Sequence, residues 1–265
     1  MPSPPESLPP PGPLAVAVGA CRMAAAAGVL LAGAVAVTAA ALWPTAPGRT
    51  RSAQRLGTVL ARALLAAAGV RVRTDSRGAL AQHRGFVFYN HVSYLDPVVL
   101  AAVAPMRFLA TAGVRRLPVL GPVATALGTL YVHRGQSASR TAARRALVRA
   151  VRQSTVPVAL APEGRIGPGP GVLPFRHGAF EVAAQADVPV CLVALRFTPP
   201  AYTAWGDGEP LPRAFWRLCA RTGPVDAVVD VVGRLDAGCE LAASERALRA
   251  EVLFNQELQK ETPFV

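Results

Sequence analysis

Phe86-Val87-Phe88-Tyr89-Asn90-His91-Val92-Ser93-Tyr94-Leu95-Asp96-Pro97 is the stretch on which the reading of this chain turns. Its apolar start predicts a strand, and Pro97 suits an early position in a helix. His91 then ends a strand and Asp96 opens the next helix. A spacing of five would be wrong for one face of a continuous helix, where three or four serve. Across a turn it can bring a carboxylate onto an imidazole. Imidazole titrates near physiological pH, so it can take a proton from a hydroxyl and return it. A carboxylate on one ring nitrogen fixes the tautomer and stabilises the imidazolium. The same two residues also fit a plainer reading, in which Asp96 caps a helix and His91 is a polar strand end. The isolated pattern is common by chance.

Outward from this stretch, elements alternate. An amphipathic helix over 53–68 precedes strands at 70–74, 86–90, 107–111, 129–133, 156–161, 188–197 and 226–232. Helices are predicted at 97–103, 114–127 (broken), 138–153, 175–185 and 242–260. The run at 156–161 is continuously apolar, as in a strand buried on both faces. Such alternation implies an α/β fold with a largely parallel central sheet flanked by helices. Ligand sites in these sheets gather at strand carboxyl ends. His91, Arg134 and Glu163 each follow a strand and can converge there.

The amino end divides into three pieces. Residues 1–13 are rich in Pro and Ser and read as a disordered tail. Residues 14–43 are apolar apart from Arg22, and the 21 residues from Met23 to Trp43 carry no charge. That run reads as an N-terminal hydrophobic anchor helix, long enough to cross a membrane, with a half-inserted anchor as the alternative. Trp43-Pro44 reads as an interfacial stop, and 44–69 as an amphipathic linker helix. Arg49, Arg51, Arg55 and Arg62 follow, which by the positive-inside bias puts the domain at 70–265 on the cytoplasmic side of the cytoplasmic membrane. A cleaved signal peptide, with small residues near Thr38-Ala39-Ala40, is the competing reading.

Hydrophobic content of 52% and a net charge of +12 suit a basic protein on an anionic lipid surface. The arginines are scattered, aromatics are only 6% and no nucleic-acid motif occurs, so nucleic acid is not the expected partner. Lys260 is the lone lysine among 28 basic residues, so part of the arginine excess reflects coding bias. Cys21, Cys191, Cys219 and Cys239 form no Cys-x-x-Cys pair, and His83, His91, His133 and His177 form no metal motif. No metal and no cofactor is expected. The absence of a Gly-x-Ser-x-Gly elbow argues against a serine nucleophile, Ser93 included.

Four blocks in order resemble the glycerolipid acyltransferase family, across about half of the chain: Asn90–Asp96, Gly128–Gly135, Pro162–Arg165 with Leu173–Phe180 downstream, and Val188–Ala194. The resemblance implies that residues 70–265 are an acyltransferase domain. It implies His91 as general base and Asp96 as its orienting carboxylate. Arg134, Glu163, Gly164 and Arg165 would bind the acceptor's polar head, a task guanidinium suits through paired charge-assisted bonds. The implied reaction moves a fatty acyl group from acyl-CoA or acyl carrier protein to a lysolipid hydroxyl at a membrane. The first-choice acceptor is 1-acylglycerol-3-phosphate, which would become phosphatidate. Another lysolipid, such as a lyso-aminolipid, or a silent lipid-binding scaffold are the alternatives. Backbone donors at the helix start after His91 are the expected oxyanion stabilisers. The chain departs from the family pattern where Glu-Gly-Thr-Arg is usual. Here Glu163-Gly164-Arg165-Ile166 stands, with Arg165 one position early and Ile166 in the usual Arg place. His133 stands where an acidic residue is frequent.

Overall fold

The computed structural model describes residues 8–42, 49–132, 137–167, 169–206 and 208–260. The chain opens with α1 (Pro13–Leu42), α2 (Arg49–Ala67), β1 (Val70–Arg73), α3 (Arg77–Gln82), β2 (Phe86–Tyr89) and α4 (Asp96–Val103). It continues through β3 (Arg107–Thr111), α5 (Leu120–Ala126), β4 (Leu130–Val132), α6 (Ser137–Gln153) and β5 (Val158–Leu160). It closes with α7 (His177–Ala186), β6 (Val190–Thr198), α8 (Leu211–Cys219), β7 (Val225–Leu235) and α9 (Ala243–Leu258). The strands form one seven-stranded sheet in the order β1-β7-β6-β2-β5-β3-β4. Every pairing is parallel except β6 with β7, so the α/β expectation of a mostly parallel, helix-flanked sheet holds.

β2 is the centre of this arrangement. It lies between β5 and β6, with Phe88 in register with Leu160 on one side and Leu192 on the other. All four of its residues are buried, which is why the run carries no polar alternation. Phe86 and Phe88 face a core built with α6, α7 and α9. Val87 and Tyr89 face the opposite core, built with α2, α4 and α8. Gly85 enters the strand at φ +133, where a Cβ would stand 2.2 Å from the Pro189 carbonyl oxygen; only glycine fits.

Because β2 and β5 are parallel neighbours, the residues that follow each emerge on the same sheet edge. Asn90 extends the pairing after β2's backbone leaves β6. Its Nδ2 donates to the Leu195 carbonyl (2.9 Å) and its Oδ1 accepts the Leu195 N–H (2.7 Å), all within the buried core. One side chain thereby stands in for the next rung of the ladder and releases His91 from it.

The stretch expected as an amphipathic linker helix at 44–69 is, over its described residues, an amphipathic helix whose apolar face joins the core. Ala61, Leu65 and Ala68 of this stretch belong to the same apolar core as α4 and the sheet, and Arg62 donates to the Ala102 carbonyl (2.7 Å). α1 packs along it: a Cβ on Gly33 would collide with Leu60, and Val37 is buried against Leu60 and Val123. At its other end, Gly19 lies against Ala220 and Trp216 of the α8 region. There Arg22 donates to the carbonyls of Cys219 (3.2 Å) and Arg221 (2.7 Å). Arg221 in turn donates to Ala68, Gly69 and Leu218. The two guanidiniums thus satisfy carbonyls left open at the ends of α2 and α8. Leu14, Val16, Leu31 and Val35 remain exposed on the outer side of α1.

Short elements differ most from expectation. α3 and α8 were not expected: α3 has six residues including a glycine, whereas α8 has nine, entered through Pro210-Leu211-Pro212, with Leu211, Ala214, Phe215, Leu218 and Cys219 at helical spacing. The broken helix expected at 114–127 splits at Pro118 into a 3-10 turn, Ala112–Arg116, and α5. Trp43-Pro44, His133 and Arg134 lie outside the described residues, as does most of the expected tail.

Asn90→Ala should orphan both Leu195 backbone groups inside the core. The expected loss of unfolding free energy is about 1–3 kcal/mol for each group, read by urea denaturation. An unchanged midpoint would contradict the role assigned to this side chain.

Candidate active site

His91 is the second residue beyond β2, and Asp96 is the first of α4. Between them the chain makes one tight turn that aims both side chains inward. Asp96 has no exposed surface, while the His91 side chain is 24% exposed. His91 Nδ1 lies 2.7 Å from Asp96 Oδ2. The same oxygen accepts the N–H groups of Val92 (2.8 Å) and Ser93 (3.0 Å). Three donors on one oxygen define an acceptor, so Nδ1 carries the hydrogen, and in the neutral ring the lone pair falls on Nε2. Burial pushes the Asp96 carboxyl up, opposed by the hydrogen bond and charge of His91 and by the two backbone N–H groups. The expected pairing across the turn is thus present in the geometry, and the plain cap reading is not the whole of it.

The expectation of oxyanion donors at the helix start meets a different arrangement. The N–H groups of Val92 and Ser93 are taken by Asp96, that of Leu95 by the Ser93 hydroxyl (3.1 Å) and that of Asp96 by the Ser93 carbonyl (3.3 Å). Dense local bonding is what holds a buried carboxylate in so short a turn. Ser93 itself donates to the Thr203 carbonyl (2.7 Å) and is fully buried, so it is no nucleophile. Burial pushes the thiols of Cys191 and Cys219 up to about 11, away from thiolate reactivity. Among the described residues no group of three or more His, Cys, Asp and Glu gathers to hold a metal.

The loop after β5 closes over the backbone of His91. Glu163 Oε1 accepts the His91 N–H (2.7 Å), and Gly167 donates its N–H to the His91 carbonyl (2.6 Å). Glu163 Oε2 accepts the Leu173 N–H (2.9 Å). Glu163 is 3% exposed, and burial pushes its carboxyl up against the pull of those two N–H groups. Its carboxylate therefore faces inward as a tie between the two loops, and not outward toward a ligand. Gly164 has φ +72, and a Cβ there would stand 2.5 Å from Arg176 Nε. Arg176 lies over this turn and donates to the Glu163 carbonyl (3.3 Å).

Arg165 is exposed beside His91 on a long groove along the sheet edge. Arg144 and Arg176 line the same polar end. The groove then becomes apolar, walled by Leu60 and Leu64 of α2, Val98 of α4, Phe197 of β6 and Phe215 of α8, and reaches Met23 and Leu30 of α1. Of the residues expected from sequence, His91, Asp96, Glu163, Gly164 and Arg165 are brought together; Arg134 lies outside the described residues. Arg176 and Arg144 were not assigned a role from sequence. Arg176 stood in a recognised block without one, and Arg144 was one of five arginines on α6 with nothing to single it out. The arrangement offers a base at the junction of a cationic mouth and an apolar channel, suited to a hydroxyl on an amphipathic molecule.

A family model described as Acyltransferase matches residues 70–196. The 1-acyl-sn-glycerol-3-phosphate acyltransferase of Neisseria meningitidis is 30% identical over 179 residues, 64% of this chain and 68% of that protein. The lyso-ornithine lipid O-acyltransferase of Pseudomonas aeruginosa is 34% identical over 108 residues, 41% of each chain. The crystal structure of the 1-acyl-sn-glycerophosphate acyltransferase PlsC from Thermotoga maritima shares the fold with a TM-score of 0.65. It is 19% identical and covers 94% of this chain and 97% of that one.

If Glu163 acts by holding His91, Glu163→Gln should lower kcat by about 10–10²-fold, the scale of a small misplacement of a reacting group. The amide would set an N–H₂ against either the His91 or the Leu173 N–H. The acceptor's KM should change little. A rise in acceptor KM with kcat preserved would instead make Glu163 a direct ligand.

Proposed function

The chain belongs to the acyltransferase family that includes the 1-acyl-sn-glycerol-3-phosphate acyltransferases, and on that premise we propose that it acylates lysophosphatidate from a thioester donor at a membrane surface. That the chain is an acyltransferase of the lysophospholipid type follows from the family itself. The observation that carries the finer reading is the His91–Asp96 pair at the meeting of the cationic mouth and the apolar groove.

In the proposed step, His91 Nε2 takes the proton of the acceptor hydroxyl while that oxygen attacks the thioester carbonyl. The carbon–sulfur bond breaks, and the imidazolium returns the proton to the departing thiolate. Asp96 remains ionised and stabilises the imidazolium. Arg134, Gly164 and Arg165 are proposed at the acceptor's phosphate, and Arg176 lines the groove with Gly164 and Arg165. Ile166 in place of the usual Arg favours a second reading in which the acceptor is another lysolipid, as in the lyso-ornithine lipid O-acyltransferases. Acyl-CoA or acyl carrier protein is the proposed donor.

α1 is apolar enough over Pro13–Ala39 to cross a membrane by length and composition. Its contacts at both ends with the domain that carries His91 favour a different placement. A crossing helix would carry one end about 30 Å from the other, to the far side of the bilayer, whereas Gly19 and Val37 both touch the domain. We propose that α1 lies half-inserted along the surface, with the domain on the cytoplasmic side, where thioester donors are made. Release of the full chain from membranes by high salt alone would count against this anchoring, since apolar burial is not screened.

His91→Ala and Asp96→Asn should each reduce turnover by about 10²-fold or more, the usual contribution of a positioned base, with the far-ultraviolet spectrum unchanged. The assay is transfer of labelled acyl groups to a panel of lysolipids, lysophosphatidate first among them. Near-normal turnover in either folded variant would remove the proposed mechanism.

A further inference from the structure

α6 buries Leu147, Val148 and Val151 against the sheet and turns Arg145, Arg149 and Arg152 to solvent. These three arginines recur at intervals of four and three, so they form one stripe along the helix. It is about 10 Å long, at ~1.5 Å per residue over seven residues. Arg152 is tied at the end of α7, donating to the carbonyls of Gln185 (3.0 Å) and Ala186 (3.0 Å). Its neighbour Arg144, by contrast, pairs with Glu181 (2.6 Å) and lines the His91 groove. Like charges one turn apart weaken a helix, and among the described residues neither Arg145 nor Arg149 has an acidic ion-pair partner to offset that.

We propose that this stripe is the docking surface for an acyl carrier protein, a small protein that presents an acidic helix and holds its acyl thioester on a long phosphopantetheine arm. The inference rests on the acyl-transfer reading and names the donor for it. Three features favour this occupant. The stripe and α1 lie on opposite faces of the sheet, because α2 packs on the Val87–Tyr89 side and α6 on the Phe86–Phe88 side. A bilayer that receives α1 therefore leaves α6 pointing away from it. The shallow cleft beside the stripe is lined by arginines, glutamines and Val148 and offers no aromatic slot for a nucleotide base. A straight row of guanidiniums complements one acidic helix and would steer it during encounter. α6 starts at the sheet edge where His91 stands and runs away from it toward β5, so the long arm of a partner seated on the stripe would pass Arg144, which lines the groove, to reach His91.

The test compares acyl carrier protein and acyl-CoA donors bearing the same chain, with the full-length enzyme and saturating lysophosphatidate. Arg145→Glu/Arg149→Glu should raise the KM for the acyl carrier protein donor by roughly tenfold or more and leave the KM for acyl-CoA and kcat within about twofold. Arg145→Gln/Arg149→Gln, free of charge reversal, should show the same ordering with a smaller change. Arg71→Glu/Arg84→Glu, an equal charge change elsewhere, should alter neither. Binding of the carrier protein without its acyl group, by fluorescence anisotropy, should weaken in parallel and weaken with salt in the unmodified enzyme. Equal effects on both donors, no effect on the carrier-protein donor, or loss of anionic-vesicle binding in its place would each overturn the proposal. Absence of transfer from either donor would defeat the acyl-transfer reading alone, since carrier binding by anisotropy would still decide the docking surface.

Discussion

A carboxylate with no exposed surface must find its hydrogen bonds within the chain, and Asp96 finds three of them on a single oxygen. The donors are the imidazole of His91 and the N–H groups of Val92 and Ser93. Removing a partner from a buried charge costs about 3–5 kcal/mol, so this group fixes the turn as firmly as any apolar contact. It sets the ring plane of His91, starts α4 and takes up the N–H groups of Val92 and Ser93. The nitrogen proposed as the base is defined by subtraction: Nδ1 is committed, and Nε2 remains.

Everything else around His91 works to keep that turn in place. Asn90 finishes the pairing of β2 with β6, and the loop after β5 reaches across to hold the main chain of His91 on both sides, through Glu163 and Gly167. The parallel sheet makes this possible, because adjacent parallel strands deliver their following loops to one edge. The apolar groove then follows from which helices cover that edge. α2, α4 and α8 wall it, and α1 extends it to the surface that carries exposed Leu31 and Val35. The proposed acyl-transfer chemistry and the proposed membrane anchoring would thereby be built on the same face.

Much of this was legible in the residues. The uninterrupted apolar run at Phe86–Tyr89 gave a buried parallel strand, and the His91 to Asp96 spacing gave a pair across a turn. What stayed hidden depends on direction in space. Nothing in Pro162-Glu163-Gly164-Arg165 tells that Glu163 turns inward to His91 while Arg165 stays at the mouth. The occupation of the Val92 and Ser93 N–H groups follows from the depth of Asp96, which pattern alone does not report. α8 went unread behind its Gly- and Pro-rich approach, although Leu211, Ala214, Phe215, Leu218 and Cys219 repeat at helical spacing. α2 read as a linker because its arginines mark an exposed face, although Ala61 and Leu65 reach the core.

The central claim is that Asp96 holds His91 in one tautomer, with the hydrogen on Nδ1 and a bare Nε2 toward the groove. Two-bond proton–nitrogen correlation spectra of the ¹⁵N-histidine-labelled protein read this directly, with the His91 signals assigned from a His91→Gln sample. At a pH where the ring is neutral, the expected result is a protonated Nδ1 and an unprotonated, pyridine-like Nε2 that disappears in Asp96→Ala. A ring that carries its hydrogen on Nε2, or that exchanges freely between the two forms while Asp96 is intact, would contradict the account.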